Sequence, residues 1–331
     1  MRIRTGTRAT GAGAGAGAGA GVGARPASRP GVLGMAMHTA RGRVGFALVA
    51  VVVLIAAIGP ALAGGSATAL VALPFASPSA RHLLGADILG RDVLARTLSG
   101  GWVLLLMAAS ATALGVAAGS AAGISAAYLR GRADGLIMRT VDVLLAFPSI
   151  VFALLLVSVL GARPWLIVVA VGITHAPAVA RVVRAATLDI SERDYVRAVE
   201  LLGTRPLTVM RREILPNLIS PLMVETGLRL TYSIVIMAGL SFLGFGQPPP
   251  APNWGYMIQE NRLGLTLNPW AVIVPGILMA VLAIGVNTFT DAVARVTIGV
   301  GRRPVILLPG ELAAKAELAG KPELAGKQSA L

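Results

Sequence analysis

GWVLLLMAASATALGVAAGSAAGISAA, residues 101–127, is a run of 27 residues without a single charge. As an α-helix rising 1.5 Å per residue it is longer than the ~30 Å thickness of a bilayer's hydrocarbon core. Small residues recur in it every fourth position, at Ala111, Gly115, Gly119, Gly123 and Ala127. That spacing puts them on one helix face, where a second helix can approach closely. The stretch therefore reads as a membrane-spanning helix with a packing face, and Gly115, Gly119 and Gly123 are its helix-packing residues.

Working outward, five more apolar segments of spanning length appear: Val44–Ala63, Leu136–Leu160, Trp165–Ala186, about Pro221–Phe245, and Trp270–Ala294. The composition agrees. Of 331 residues, 55% are hydrophobic and 13% charged, against roughly 25% charged in a soluble domain. The fold class read from the sequence is an all-α membrane protein with six transmembrane helices.

A net charge of +14 points to nucleic acid or to a membrane. Aromatics are few, no finger or RNP-like motif is present, and the arginines stand between apolar runs, so membrane topology explains them and a nucleic-acid partner is not expected. No cysteine and only three histidines (His38, His82, His175) occur. Thiolate chemistry is thus excluded, and no HExxH or paired-His spacing marks a metal site. No GxxxxGK[ST] loop is present, so the chain cannot hold ATP by that route, and no catalytic residue or bound cofactor is expected.

The arginines orient the chain. They crowd the segments before the first span (Arg41, Arg43), between the second and third (Arg130, Arg132), between the fourth and fifth (seven, from Arg181 to Arg212), and after the sixth (Arg295, Arg302, Arg303). The opposite loops carry only Arg163, Arg262 and a mixed-charge stretch from Arg81 to Arg96. Both termini are expected in the cytoplasm. Ala61-Leu62-Ala63 resembles a leader-peptidase site, but the apolar run before it is longer than a usual leader core.

The expected organisation is a low-complexity tail over 1–40, a first span with an extracytoplasmic segment over 41–100, a core over 101–299, and a second tail over 300–331. The first tail carries alternating Gly and Ala from Gly11 to Gly21, with Met35 and Met37 as alternative starts. The second carries the units ELAAKA, ELAGKP and ELAGKQ. Neither composition can build a core.

Inside the spans, Pro148, Pro177 and Pro275 free backbone carbonyls and kink helices, which suits either packing or a gated path. Arg139/Asp142 and Glu225/Arg229 have the spacing of pairs on one helix face. His175 and Asn287 lie deeper. Intramembrane polar groups are functional candidates by default, so both are candidate pathway-lining residues, with a hydrogen bond to a neighbouring helix as the plain alternative for His175.

The segment 189–217, DISERDYVRAVELLGTRPLTVMRREILPN, differs from all of these. Tyr195–Leu202 reads as a short helix, Gly203 breaks it, and a second helix starts near Pro206, proline being favoured in a first turn. A basic helix–turn–helix on the cytoplasmic face is suited to docking a partner. It resembles the EAA loop of ABC importer permeases. Arg197-Ala198-Val199 stand where that pattern has EAA, Gly203 where it has glycine, and Ile214-Leu215-Pro216 where it has I-x-L-P. Two positions depart from the pattern: Arg197 replaces the acid, which reappears at Glu200, and Glu213 occupies a place often held by histidine.

Three further stretches are similar to the dipeptide, oligopeptide and nickel branch of that family: HLLGADILGRDVLAR at 82–96, LIMRTVDVLLAFP at 136–148, and LSFLGFGQPPPAPNWG at 240–255. The resemblance covers about Arg41 to Gly299 and looks like the C-type permease of a pair. It implies a cytoplasmic coupling helix and a translocation path for short peptides in the inner membrane. It also implies a second homologous permease, an extracytoplasmic binding protein, and two ATPase subunits that carry the ATP and Mg. A nickel or other solute importer is the alternative within the class, and a secondary carrier the alternative outside it.

Overall fold

The computed structural model describes residues 32–63, 67–246 and 250–301; the Gly-Ala tract and the C-terminal units lie outside them. Twelve α-helices are found among the described residues. Five helical segments are long and apolar enough to cross a membrane, and a bent pair supplies a sixth crossing. They contain α2 (Ala40–Leu62), α4 (Gly101–Leu129), α7 (Pro164–Ser191), α10 (Ile219–Leu240) and α12 (Trp270–Gly301), with α5 (Gly131–Leu145) and α6 (Ser149–Leu160) as the pair. The remaining helices are short: α1 (Val32–Met37), α3 (Val93–Ser99), α8 (Asp194–Leu201), α9 (Pro206–Val209) and α11 (Trp254–Asn261).

The third span is where the structure departs from the sequence reading. Instead of one kinked helix over Leu136–Leu160, α5 and α6 meet at 89°. Pro148, which has no N–H to continue a helix, caps the start of α6. The stretch read as a tail up to residue 40 also holds α1, whose Ala36 is fully buried in one apolar cluster with Ala292 and Val293 of α12.

Helix packing follows the small residues. A Cβ placed on Gly115, Gly119 or Gly123 would lie 2.7 Å from His175 Cβ, 2.5 Å from the Ala176 carbonyl oxygen and 2.5 Å from the Ala180 carbonyl oxygen. The stripe on α4 is thus pressed against α7, which answers with Gly172, Ala176 and Ala180 at the same spacing. At the α2–α12 crossing the arrangement repeats, with the Gly45 position 2.5 Å from the Phe289 backbone nitrogen. The main core runs through α2, α4, α6, α7, α10, α11 and α12, from Val52 and Leu104 to Trp254 and Leu282.

At the end of the bundle away from the 189–217 loop, the chain between α2 and α3 folds into an irregular cap tied to α11. Two isolated antiparallel bridges, Leu70 with Arg91 and Ala86 with Asp92, shape it. Asp87 Oδ1 accepts from the N–H of Leu89 and Arg91, both at 2.9 Å. Its Oδ2 meets Arg91 Nε at 2.7 Å and Arg96 Nε at 3.3 Å. Glu260 of α11 closes the ring, with Arg91 on one oxygen and Arg96 on the other at 3.2 Å. Asn261 Oδ1 accepts from Ile88 N at 2.9 Å, and Asn268 Nδ2 donates to the carbonyls of Leu84 and Ala86 at 2.9 Å each. Trp254 Nε1 donates to Thr97 O at 2.7 Å.

Two outcomes test this packing. Gly119→Val forces a side chain into the α7 backbone and should destabilise the subunit by about 1–3 kcal/mol or more; Ala118→Val, on an exposed face of α4, should stay within about 0.5 kcal/mol. Glu260→Ala leaves two buried guanidiniums sharing one carboxylate, and a loss of about 3–5 kcal/mol is expected. Both comparisons can be read from thermal unfolding of the purified protein in detergent.

Candidate functional site

The segment 189–217 builds a two-sided structure. α8 carries Arg197, Ala198, Val199 and Glu200, and ends at Gly203, whose φ is +74°. The backbone turns there and restarts at Arg205, with Pro206 in the first turn of α9. A π turn over Met210–Ile214 and a 3-10 turn over Leu215–Leu218 carry the chain into α10. The path is helical from Pro206 through α10 and a second π turn as far as Leu243, and breaks at Gly244, whose φ is +89°.

One side of the loop is anchored. Val196, Val209, Ile214 and Leu218 are fully buried against Ile124 of α4 and Val179 and Val183 of α7. Val199 packs at the edge of the same cluster. The other side is open: Leu201 is 88% exposed, Leu202 84% and Leu207 62%. Arg197, Ala198, Gly203, Leu215 and Pro216 also lie on the exposed side. A bare row of leucines on a well-packed base, with basic residues around it, has the chemistry of a docking surface.

Arg197 and Glu200, three residues apart on α8, do not pair. Glu200 lies beside Tyr128 at the end of α4, and Arg197 and Glu200 line a small cleft with Tyr128, Arg130 and Ser191. Arg197 is exposed and forms no ion pair among the described residues. The α5 helix is fixed nearby by a two-pronged pair, Arg184 Nε and Nη2 to Asp134 Oδ1 and Oδ2, both at 2.6 Å. Asp142 meets Arg181 of α7 at 2.6 Å rather than Arg139. Glu225 and Arg229 do pair along α10 at 3.1 Å, with the Arg229 guanidinium over the Tyr232 ring.

His175 is buried where α4, α7 and α10 meet. Its Nε2 lies 2.9 Å from Ser233 Oγ, which lies 3.0 Å from Thr112 Oγ1. Thr112 already donates its only hydroxyl hydrogen to Ala108 O at 2.8 Å. It must therefore accept from Ser233, and Ser233 in turn accepts from His175, which places a proton on Nε2. Asn287 stands on an exposed face of α12. Gly115, Gly119 and Gly123 sit in the α4–α7 seam described above. The structure thus divides the loop residues between an inner face, with Val199 and Ile214, and an exposed one, with the rest, and leaves His175 and Asn287 apart from the loop and from each other.

Reading the sequence alone missed Thr112 and Ser233 as the partners of His175, and the Asp87–Arg91–Arg96–Glu260 ring. For the ring a signal existed: opposite charges four residues apart, Asp87/Arg91 and Asp92/Arg96, in an otherwise apolar stretch.

Residues 115–298 match the profile of the binding-protein-dependent transport system inner membrane component family. A Brucella suis protein assigned as a peptide transport system permease is 37% identical over 250 residues, covering 75% of this chain and 84% of that protein. The glutathione transport system permease protein GsiD of Pectobacterium atrosepticum is 37% identical over 214 residues, 65% of this chain and 71% of its own. A peptide permease of Brucella ovis is 41% identical over 213 residues, 63% and 70% of the two chains. With the family profile covering more than half of a chain built from membrane-crossing helices, the protein belongs to the inner-membrane permease components of binding-protein-dependent transport systems.

Proposed function

We propose that the chain forms the translocation path of an ATP-driven importer for short peptides. It would be paired with a second, homologous permease and served by two ATPase subunits and an extracytoplasmic binding protein. The peptide substrate is supported by relatives whose names refer to peptide and glutathione transport. ATP and Mg belong to the ATPase subunits, and this chain carries out no chemistry of its own.

The observation that carries the reading is the two-sided loop. Its inner face is packed into α4, α7 and the start of α10, so a push on the outer face is a push on three spans. The outer face offers Leu201, Leu202, Leu207 and the unpaired Arg197 to a cytoplasmic ATPase. Closure of the ATPase dimer on ATP would move α8, and the motion would reach the path through α10. In this reading both termini and the 189–217 loop face the cytoplasm, and the cap around Asp87 and Glu260 faces the binding protein.

Gly203 gives the sharpest test. No atom lies within 4 Å of a Cβ placed there, so any effect of substitution is conformational rather than steric. A β-branched residue resists positive φ at a cost of about 1–2 kcal/mol. Gly203→Val should therefore insert and assemble normally, yet lose uptake and the stimulation of ATP hydrolysis by loaded binding protein. Gly203→Asn, which tolerates the left-handed region better, should retain a substantial part of both. Wild-type coupling in the valine variant would remove the reason for calling this loop a transmission element.

Orientation is tested in the naturally cysteine-free chain. Leu263→Cys, at a position 82% exposed at the cap end, should react with an impermeant thiol reagent in intact cells. Arg132→Cys, exposed at the loop end, should react only after permeabilisation. The reverse pattern would overturn the proposed topology.

A further inference from the structure

Ala146, Phe147 and Pro148 separate α5 from α6, and the break opens backbone that a continuous helix would keep closed. Among the described residues, the carbonyls of Leu145, Ala146 and Phe147 accept no backbone hydrogen bond across it, and the N–H groups of Ser149, Ile150 and Val151 donate none. No side chain caps the start of α6. Of the three carbonyls in the break only that of Pro148 is engaged, by Phe152 N at 2.9 Å, while the N–H groups of Ala146 and Phe147 still bond back into α5. Residues 146–150 are all exposed on the surface of the chain.

The depth of the break makes this exposure informative. The break lies against Ile173 and Thr174 of α7, roughly 15 Å along that helix from Pro164 and roughly 25 Å from Ser191 at 1.5 Å per residue. That is the hydrocarbon region. Lipid cannot satisfy free N–H and C=O groups, so irregular backbone at this depth is tolerated only against protein or beside water.

A cavity of about 360 Å³ beside the break favours water. It has room for several water molecules. Its wall is mostly polar although no ionisable side chain lines it, because the polar atoms come from the opened backbone and from Ser149 and Thr174. Thr174 Oγ1 gives its hydrogen to Val171 O at 2.7 Å, leaving its oxygen free to accept. Phe147, half-exposed, leans on Phe152 with ring centroids 5.8 Å apart.

We infer that the α5–α6 break is a wall of the water-filled path through which solute crosses, with the opened backbone of residues 145–151 as its hydrogen-bonding surface and Phe147 at its mouth. Neutral donors and acceptors side by side match water and the amide groups of a peptide; they offer no charge to hold a bare metal ion. The inference rests on the permease reading above and adds to it the place where solute meets this chain.

The test uses the whole complex, reconstituted in lipid nanodiscs so that both faces are open, with single cysteines at Ser149, Phe147 and, as a control on an exposed apolar face of α2, Leu54. Thiolate, the reacting species, forms only where water reaches, so a positively charged thiol reagent should modify Ser149→Cys on the order of 100-fold faster than Leu54→Cys. Phe147→Cys should also react fast. Modification at either position should abolish the ATP-dependent uptake that the same preparation shows beforehand in liposomes. If both cysteines react no faster than the α2 control while ATP-dependent uptake is intact, the inference is overturned and the break is covered by a partner. Fast labelling in a preparation without ATP-dependent uptake would instead overturn the permease reading on which the path depends.

Discussion

In hydrocarbon no hydrophobic force pulls two helices together, because lipid tails are as apolar as leucine. Association must come from close contact and from polar groups that have nowhere else to go. The α4–α7 seam meets both conditions. Its glycines let the backbones approach to where a single added methyl would overlap a carbonyl, and from that closeness the rest is hung. The Thr112–Ser233–His175 chain reaches out of the seam to hold α10. Arg184, one turn beyond the Gly123 contact, grips Asp134 and fixes α5. Within the same stretch of the seam, Ile124, Val179 and Val183 form the floor on which the 189–217 loop is laid.

What the sequence made legible was local. Apolar runs gave the spans, small residues at every fourth position gave the packing face, and Gly203 and Pro206 gave the turn between α8 and α9, since each is a statement about one stretch of chain. The break in the third span shows the limit. Pro148 signals a kink, but its size depends on two attachments far apart in sequence. α6 is held along α7 through buried Ala153 and Val157, while Asp134 and Asp142 draw α5 to Arg184 and Arg181 near the other end of the same helix. Asp142 had a candidate partner three residues away in Arg139, and the cross-helix arginine won. The π turn over Met210–Ile214 was hidden for a similar reason: Val209, Ile214 and Leu218 all reach into one core, a demand that helical spacing alone does not reveal. His175 could be recognised as notable, but not Ser233 as its partner 58 positions on.

The ring at the cap belongs to a different kind of constraint. Buried ion pairs cost about as much in desolvation as they return, so they are weak as a source of stability. What they supply here is geometry. Two arginines and two carboxylates, each carboxylate meeting both arginines, close without net charge, and the ring can form only when the chain before α4 and the helix after α10 are in one arrangement. The neighbouring amides of Asn261 and Asn268 bind backbone of the same segment. The spans on either side of the bundle are thereby joined at the cap end by polar contacts, as they are joined at the loop end by apolar ones.

Between those two ends runs a single helical path. From Pro206 to Leu243 the backbone stays helical through a π turn, a 3-10 turn, α10 and a second π turn; the chain kinks at Gly244, and α11 follows with the Glu260 that closes the ring. A loop loosely tethered to its spans could be pushed without effect on them. One whose inner face shares a core with α4 and α7, and whose second half is already the start of α10, cannot. In the proposed reading this is why Gly203 matters although a side chain there would touch nothing. It sets the angle at which α8 meets that continuous helix, and the angle decides whether force on Leu201 and Leu202 is directed along α10 or lost in turning α8 aside.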